Sequence, residues 1–243
     1  MAQLEGKVAI ITGAGTGIGK GICRSFAREG ARLVLASRKR ANLEATADEI
    51  RSQGGTALVV PTDVTAEDQV RALFEKTLEE FRRLDILVNN SGAFDGGPLE
   101  DITLETWQKV VGVNLTGPFL CTREAMRIMK AQGGGRIINI GSISAQMPRM
   151  NHSPYTATKH GLTGLTKSTA LEGREFGVVA SCLHPGNVLT ERRDGTDSPA
   201  DREPMMSTDE IAKAALAMAA LDSQVNMLEA IVLPVKQLYV GRG

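Results

Sequence analysis

The feature that most constrains this chain is a set of short, almost wholly apolar segments that recurs from end to end. They are Val8-Ala9-Ile10-Ile11, Leu33-Val34-Leu35, Ala57-Leu58-Val59-Val60, Ile86-Leu87-Val88, Ile137-Ile138-Asn139-Ile140, Val178-Val179-Ala180 and Ile231-Val232-Leu233. Each is too short for a helix, and none alternates apolar with polar residues as a half-solvated strand does. Parallel strands covered by helices on both faces read this way. The intervening segments supply the helices. Ile18, Ile22 and Phe26 recur every four residues and share one helical face. Val70, Leu73, Phe74 and Phe81 follow Thr65, a predicted N-cap with Asp68 three residues on, and Ser207-Thr-Asp-Glu210 is a capping box ahead of Ile211, Ala214, Ala215 and Met218. The alternation predicts an α/β chain: one doubly wound, seven-stranded parallel sheet flanked by helices on both faces. No repeat, low-complexity tract or Pro/Gly/Ser linker divides it, and 243 residues suit a single domain over 1–243.

Two stretches break this rhythm. Thr103 to Gln132 is helical in composition but interrupted by Gly112, Asn114, Gly117 and Pro118, which predicts a kink. Residues 191–206 have no period and follow the sixth strand, where folds of this kind place ligand-covering loops, so they read as a substrate-covering flap.

Charge narrows the choice of partner. The 28 Lys and Arg balance 28 Asp and Glu, and the pI is near 6.8. Such a chain lacks the basic field that attracts nucleic acid or a membrane surface, and neither partner is expected. The start, Met-Ala-Gln-Leu-Glu-Gly-Lys-Val, has no leader pattern, and no apolar run approaches the ~20 residues that cross a bilayer, so a cytoplasmic location is expected. Cys23, Cys121 and Cys182 lie far apart without paired ligand spacing; they read as buried free thiols, and no metal is expected.

Polar and glycine residues gather where the strands end. The first strand runs into Thr12-Gly13-Ala14-Gly15-Thr16-Gly17-Ile18-Gly19. Such a turn lets backbone N–H groups approach a pyrophosphate, with the partial positive charge of a helix N-terminus behind them; it also serves as a tight strand-to-helix connection. After the second strand comes Ser37-Arg38-Lys39-Arg40, with Ser37 lying 20 positions beyond Gly17. A carboxylate there accepts a ribose 2′-OH, whereas a guanidinium accommodates a 2′-phosphate, which favours NADP(H). Cations at a helix N-terminus oppose its dipole, so helix physics alone does not choose them. Asp63-Val64 and Asn89-Asn90-Ser91-Gly92 follow the third and fourth strands, where they can meet an adenosine or act as turn formers.

Tyr155-Thr-Ala-Thr-Lys159 puts two polar groups on one helical face. A positive charge about 4 Å from a phenolate stabilises it by about 4 kcal/mol at an effective dielectric of about 20. A phenol tuned in this way can donate a proton to a carbonyl oxygen as hydride reaches carbon, or take one back. Ser142, ending the fifth strand, offers a hydroxyl for the same oxygen, with Ser144 as a neighbouring competitor. Ser142 lacks a Gly-x-Ser-x-Gly context, and His152, His160 and His184 carry no motif of a catalytic base; they read as ordinary loop, helix and strand-end residues.

In order and spacing, the turn Thr12 to Gly19, Asn89-Asn-Ser-Gly92, Asn114, Ser142, Tyr155-x-x-x-Lys159 and Pro185-Gly186 resemble the short-chain dehydrogenase/reductase family along nearly the whole chain. The resemblance implies a Rossmann-type fold and a catalytic tetrad of Asn114, Ser142, Tyr155 and Lys159. Tyr155 is then the acid/base, Ser142 orients the reacting oxygen, Lys159 primes the tyrosine and holds the nicotinamide ribose, and Asn114 holds a helix kink and a relay water. It further implies that Gly13, Thr16, Gly17, Ile18, Gly19, Ser37, Arg38, Asp63, Val64, Asn90, Ser91 and Gly92 meet the adenosine and phosphate portions. Pro185, Gly186, Val188 and Thr190 meet the nicotinamide end, and the protein forms a homotetramer or homodimer. Three departures stand out: Ser91 in place of the usual alanine, a tail from Leu228 to Gln237 without the Asp-Gly-Gly finish, and Ser181-Cys-Leu-His184 ahead of Pro185. The expected activity is an NADP(H)-dependent interconversion of a carbonyl and a secondary alcohol, in a pocket bounded by Phe94, Ser144, Met147, His152, Asn187, Met205 and Met206. The alternatives are an NADPH-binding regulator without turnover and a dehydratase or epimerase of the same family.

Overall fold

The structure, a computed structural model, describes residues 2–191 and 203–239. Seven strands form one parallel sheet: β1 (Val8–Thr12), β2 (Arg32–Ser37), β3 (Thr56–Pro61), β4 (Ile86–Asn89), β5 (Gly135–Ile140), β6 (Val178–Pro185) and β7 (Glu229–Val232), in the order β3-β2-β1-β4-β5-β6-β7. The helices are α1 (Gly17–Arg28), α2 (Arg40–Ser52), α3 (Glu67–Phe81), α4 (Leu104–Val111), α5 (Gly117–Gln132), α6 (Ser153–Gly173) and α7 (Thr208–Ala219). This is the doubly wound, Rossmann-type sheet the apolar runs predict.

Alternate residues of each strand feed two cores. Ala9 and Ile11 of β1 and Leu33 and Leu35 of β2 pack with Ile22 and Phe26 of α1, Leu43 of α2 and Ile211 and Met218 of α7. Val8, Ile10, Val34 and Ala36 face the other way, onto Val70, Leu73 and Phe74 of α3 and Leu120, Ala125 and Met129 of α5. Full burial of side chains such as Ile22 and Phe26 contributes about 1.5–3 kcal/mol each. Cys23, Cys121 and Cys182 are buried and free; burial pushes the Cys121 thiol up to about 12 and the Cys23 thiol higher still.

Local signals are met in part. Ser207 and Glu210 cap α7 reciprocally: the Glu210 carboxylate accepts from the Ser207 N–H at 2.8 Å and the Ser207 hydroxyl accepts from the Glu210 N–H at 3.4 Å. Thr65 does not cap α3. Ala66 occupies that position, and the Thr65 N–H and hydroxyl both donate to Asp63 Oδ1, at 2.9 and 2.8 Å, because the nearer carboxylate closes a local turn first. The predicted kink is a π-helical turn over Gly112–Thr116, between α4 and α5. A Cβ on Gly117 would lie 2.7 Å from Val64 Cγ2, so Val64 serves the packing of α5. Among the described residues no helix is long and apolar enough to cross a membrane.

Candidate active site

Strands β2 and β3 are added on one side of β1 and β4 to β7 on the other, and the strand ends at this switch between β1 and β4 open a crevice of the kind that takes ligands in this architecture. Thr12 ties the two strand ends together: its hydroxyl oxygen accepts from the N–H groups of Asn90 (2.9 Å) and Ser91 (3.0 Å). The Asn90 side chain turns back and donates to the carbonyls of Thr12 (2.9 Å) and Gly13 (3.2 Å), so its amide builds the turn. Gly19 has to be glycine, because a Cβ there would fall 2.2 Å from the Gly13 carbonyl oxygen. Gly17 opens α1 at φ +53°, a left-handed conformation that favours glycine, and its N–H donates to the Glu191 carboxylate at 2.8 Å. The N-terminus of α1, with no acidic residue of its own in the first turn, thus already holds an anion.

Beside this cradle, α2 begins at Arg40 behind Lys39, with no acidic residue in its first turn. Arg40 pairs with Glu44 at 3.1 Å, whereas exposed Arg38 makes no hydrogen bond or ion pair among the described residues. Burial pushes Asp63 up, but the bonds from Thr65 and the charge of Arg38 outweigh it and hold its carboxyl below the ordinary value.

On the other side, α6 starts with Pro154 in its first turn and carries Tyr155 and Lys159 one turn apart. Lys159 is buried, and its ammonium donates to the Ile140 carbonyl at 2.7 Å and lies 5.5 Å from the centroid of the Tyr155 ring. The Tyr155 ring meets Phe94 edge-on at 4.9 Å, and Phe94 in turn meets His152 at 4.5 Å. Ser142 lies two residues beyond the end of β5, and its hydroxyl oxygen accepts from the Ser144 N–H at 3.1 Å, which fixes the rotamer while leaving its own hydrogen to donate. Asn114 lies fully buried in the π turn. Its side chain accepts from the Ala93 N–H (2.7 Å) and donates to the Ala93 carbonyl (2.9 Å) and to Thr158 Oγ1 (3.3 Å). The irregular turn is therefore clamped to the loop after β4 and to α6.

One cavity of about 930 Å³ joins both sides. Ser142, Tyr155 and Lys159 line it, and Asn114 stands behind the wall. Of the predicted cofactor residues, Gly13, Thr16, Gly17, Ile18, Asn90, Ser91, Gly92, Pro185, Gly186, Val188 and Thr190 line it; Gly19, Ser37, Arg38, Asp63 and Val64 lie outside. Phe94, Ser144, His152 and Asn187 line it as predicted, but the three methionines do not. Met147 points to solvent at 39% exposure. Met206 is buried against the first core, where its backbone bridges Asn187 and Leu189, and Met205 beside it is likewise off the wall. Residues 192–202 of the predicted flap lie outside the described residues.

Several participants carry no sequence signal. Arg149 lines the cavity and donates to Glu203 (2.8 Å) and Asn187 Oδ1 (3.3 Å), while Asn187 Nδ2 donates to Glu203 at 2.7 Å. Gln237 accepts from the Asn187 N–H at 2.8 Å, so the atypical tail packs beneath the loop after β6. Chemically, the arrangement sets a phenol, an ammonium and a hydroxyl beside an anion-binding helix terminus.

Known proteins agree with this geometry. A family model described as short chain dehydrogenase matches residues 7–200. The chain is 40% identical over 192 residues to a short chain dehydrogenase/reductase, astE, of Aspergillus oryzae, covering 78% of this chain and 74% of that one. Among solved structures, a short-chain type dehydrogenase/reductase from Mycobacterium marinum superposes with a TM-score of 0.90 at 34% identity, covering 94% of each chain. A metagenomic short-chain oxidoreductase in complex with NADP gives a TM-score of 0.84 at 34% identity, covering 96% of this chain and 98% of that one. With this sheet, this glycine turn and these matches, the chain belongs to the short-chain dehydrogenase/reductase family of oxidoreductases.

Proposed function

We propose that the protein is an NADP(H)-dependent oxidoreductase that interconverts a carbonyl and a secondary alcohol. The observation that carries this reading is that Tyr155, Ser142 and Lys159 line the same cavity as the glycine turn at the head of α1. When bound, the dinucleotide supplies or accepts the hydride. The fit of that group is supported by the Gly17 N–H, which already donates to a carboxylate, and by the close approach of α1 to the turn that Gly19 permits. Gly13 to Gly19 would hold the pyrophosphate, and Asp63, Val64, Asn90, Ser91 and Gly92 would flank the adenosine. Pro185, Gly186, Val188 and Thr190 would flank the nicotinamide. Preference for the 2′-phosphate rests on Ser37 and on Arg38, whose guanidinium makes no hydrogen bond or ion pair among the described residues, in a segment after β2 that carries no acidic residue up to Ala41. The solved relative that binds NADP is consistent with it.

Tyr155 gives its phenolic proton to the oxygen of a bound carbonyl during reduction and recovers it in the reverse direction. Ser142, its rotamer held by Ser144, donates to that same oxygen and fixes its approach. Lys159, anchored on the Ile140 carbonyl, keeps a positive charge 5.5 Å from the centre of the Tyr155 ring, where it offsets the negative charge that develops on the phenolic oxygen as its proton leaves. Asn114 holds the β4 loop and α6 in register behind these groups. A cytoplasmic homotetramer or homodimer belongs to the same reading, supported by the exposed apolar side chains Leu104 and Trp107 on α4 and Phe119 on α5.

The test is to mix purified protein with NADPH and a panel of ketones and follow absorbance at the reduced-nicotinamide band. Steady consumption with at least one ketone is expected. Tight NADPH binding without consumption across the panel would overturn the reading in favour of a cofactor-binding regulator.

A further inference from the structure

His184 is a fully buried ring in β6 that the reaction above does not use. It lies against the end of β5, and a Cβ on Gly141 would fall 2.6 Å from its Nδ1. That nitrogen is 3.0 Å from the Ser142 carbonyl oxygen, a group that can only accept, so Nδ1 carries the hydrogen and donates. One residue earlier, the Gly141 N–H donates to the Leu183 carbonyl at 2.7 Å. Two hydrogen bonds therefore hang the Gly141-Ser142 corner on β6.

The other ring nitrogen, Nε2, is buried and makes no hydrogen bond among the described residues. It faces Glu229 Oε2 of β7 at 3.4 Å, and Glu229 Oε1 is held by Lys167 of α6 at 2.8 Å. With Nδ1 fixed as a donor, a neutral imidazole presents a lone pair to a carboxylate. Only the imidazolium satisfies both sides. Two further titratable groups face the ring: Lys159 of α6, whose charge opposes protonation, and Cys182 of β6, whose thiol is kept protonated by burial. Burial pushes His184 below the ordinary histidine range, with the Ser142 bond and Glu229 opposing that effect.

We propose that His184 is the positioning residue for Ser142, holding its carbonyl through Nδ1–H, and that Nε2 is a buried protonation site paired with Glu229 through which pH reaches the active site, a role that rests on Ser142 as the oxygen-orienting hydroxyl. Taking up a solvent proton at Nε2 turns the contact with Glu229 into a charge-assisted hydrogen bond and strengthens Nδ1–H as a donor. It also sets a second positive charge near Lys159 and so changes the field at the catalytic groups.

The test uses the full-length protein with His184→Leu, His184→Asn and Glu229→Gln variants. Folding is checked by circular dichroism, and NADPH affinity, kcat and KM are measured across pH. His184→Leu, which removes the donor, is expected to lower kcat about 10–100-fold while NADPH affinity stays within about 2-fold. His184→Asn, whose amide N–H replaces Nδ1–H but does not titrate, is expected to recover kcat to within about 3-fold and to lose the wild-type inflection on the acid side. An Asn variant that folds yet is as slow as Leu, or a Leu variant at full kcat, would overturn the positioning role.

Nitrogen-15 NMR of the imidazole is read independently of turnover. The expected result is hydrogen on Nδ1 at high pH and uptake of a second proton at Nε2 as pH falls, shifted to still lower pH in Glu229→Gln. Hydrogen on Nε2 at high pH, or a titration indifferent to Glu229→Gln, would contradict the pairing. Because the NMR measurement needs no substrate, it stands even if no ketone is consumed, an outcome that would sink the proposed function alone; it also decides the case if the Leu variant does not fold.

Discussion

The two sides of the cavity are built by different means. Around the β1–α1 turn the wall is mostly backbone: Gly13 and Gly17 bring N–H and C=O groups to the surface, Gly19 lets α1 pack tightly on the turn from outside the cavity, and Thr12 and Asn90 act by bonding that backbone. Across β5, β6 and α6 the wall is side chains, with Tyr155, Lys159 and Ser142 each held by a different neighbour. Backbone recognises a phosphate by shape and dipole, and tolerates no added Cβ. Side chains supply a proton and a fixed charge, and can be exchanged without closing the cavity. The contrast teaches that binding and chemistry should separate under mutation: changes at the first side alter cofactor affinity, and changes at the second alter turnover.

The sharpest break is expected from Tyr155→Phe, which keeps the ring against Phe94 and deletes the proton. Steady-state assays should show kcat lower by about 10²–10⁴-fold with NADPH affinity within about 2-fold. On the backbone side, Gly19→Val drives a side chain into the Gly13 carbonyl. Fluorescence titration should show NADPH affinity weaker by about 100-fold, or about 2.7 kcal/mol, in protein that circular dichroism shows to be folded. Arg38→Asp faces a 2′-phosphate with a carboxylate; the same titration should give about a 10–100-fold loss for NADPH and none for NADH. The smallest effect concerns Glu191, whose carboxylate sits on the Gly17 N–H. Glu191→Gln replaces an anion at a helix N-terminus by a neutral amide, and NADPH should bind about 2–5-fold more tightly because it displaces a weaker competitor.

Much of this was legible in the sequence for a physical reason. Strands buried on both faces must be apolar almost throughout, as the runs in β1, β2, β4 and β5 are; the runs at the sheet edges mark β3 and β7 as well, although these are only partly buried, β6 continues to Pro185 and β7 starts at Glu229. Those extensions are set by pairing with neighbours, Cys182 with Glu229 and His184 with Ile231, which hydropathy does not encode. Glycine turns and the Tyr155/Lys159 pair are local and were readable at their spacing. Contacts between distant segments were not. Arg149 meets Asn187 and Glu203 across 38 and 54 residues, Gln237 reaches Asn187 across 50, and His184 joins Ser142 across 42. The same limit explains the methionines: an aperiodic loop gives no sign of which face packs, and Met206 turned inward to the core.

In the proposed function the cradle and the phenol serve one reaction in one cavity. Its most direct test is reduction of a ketone by the wild-type protein with NADPH deuterated at both C4 positions of the nicotinamide, followed by mass spectrometry and NMR of the alcohol. One deuterium on the carbinol carbon is expected, with no hydrogen at that carbon drawn from solvent. An alcohol whose carbinol hydrogen comes from water would contradict it.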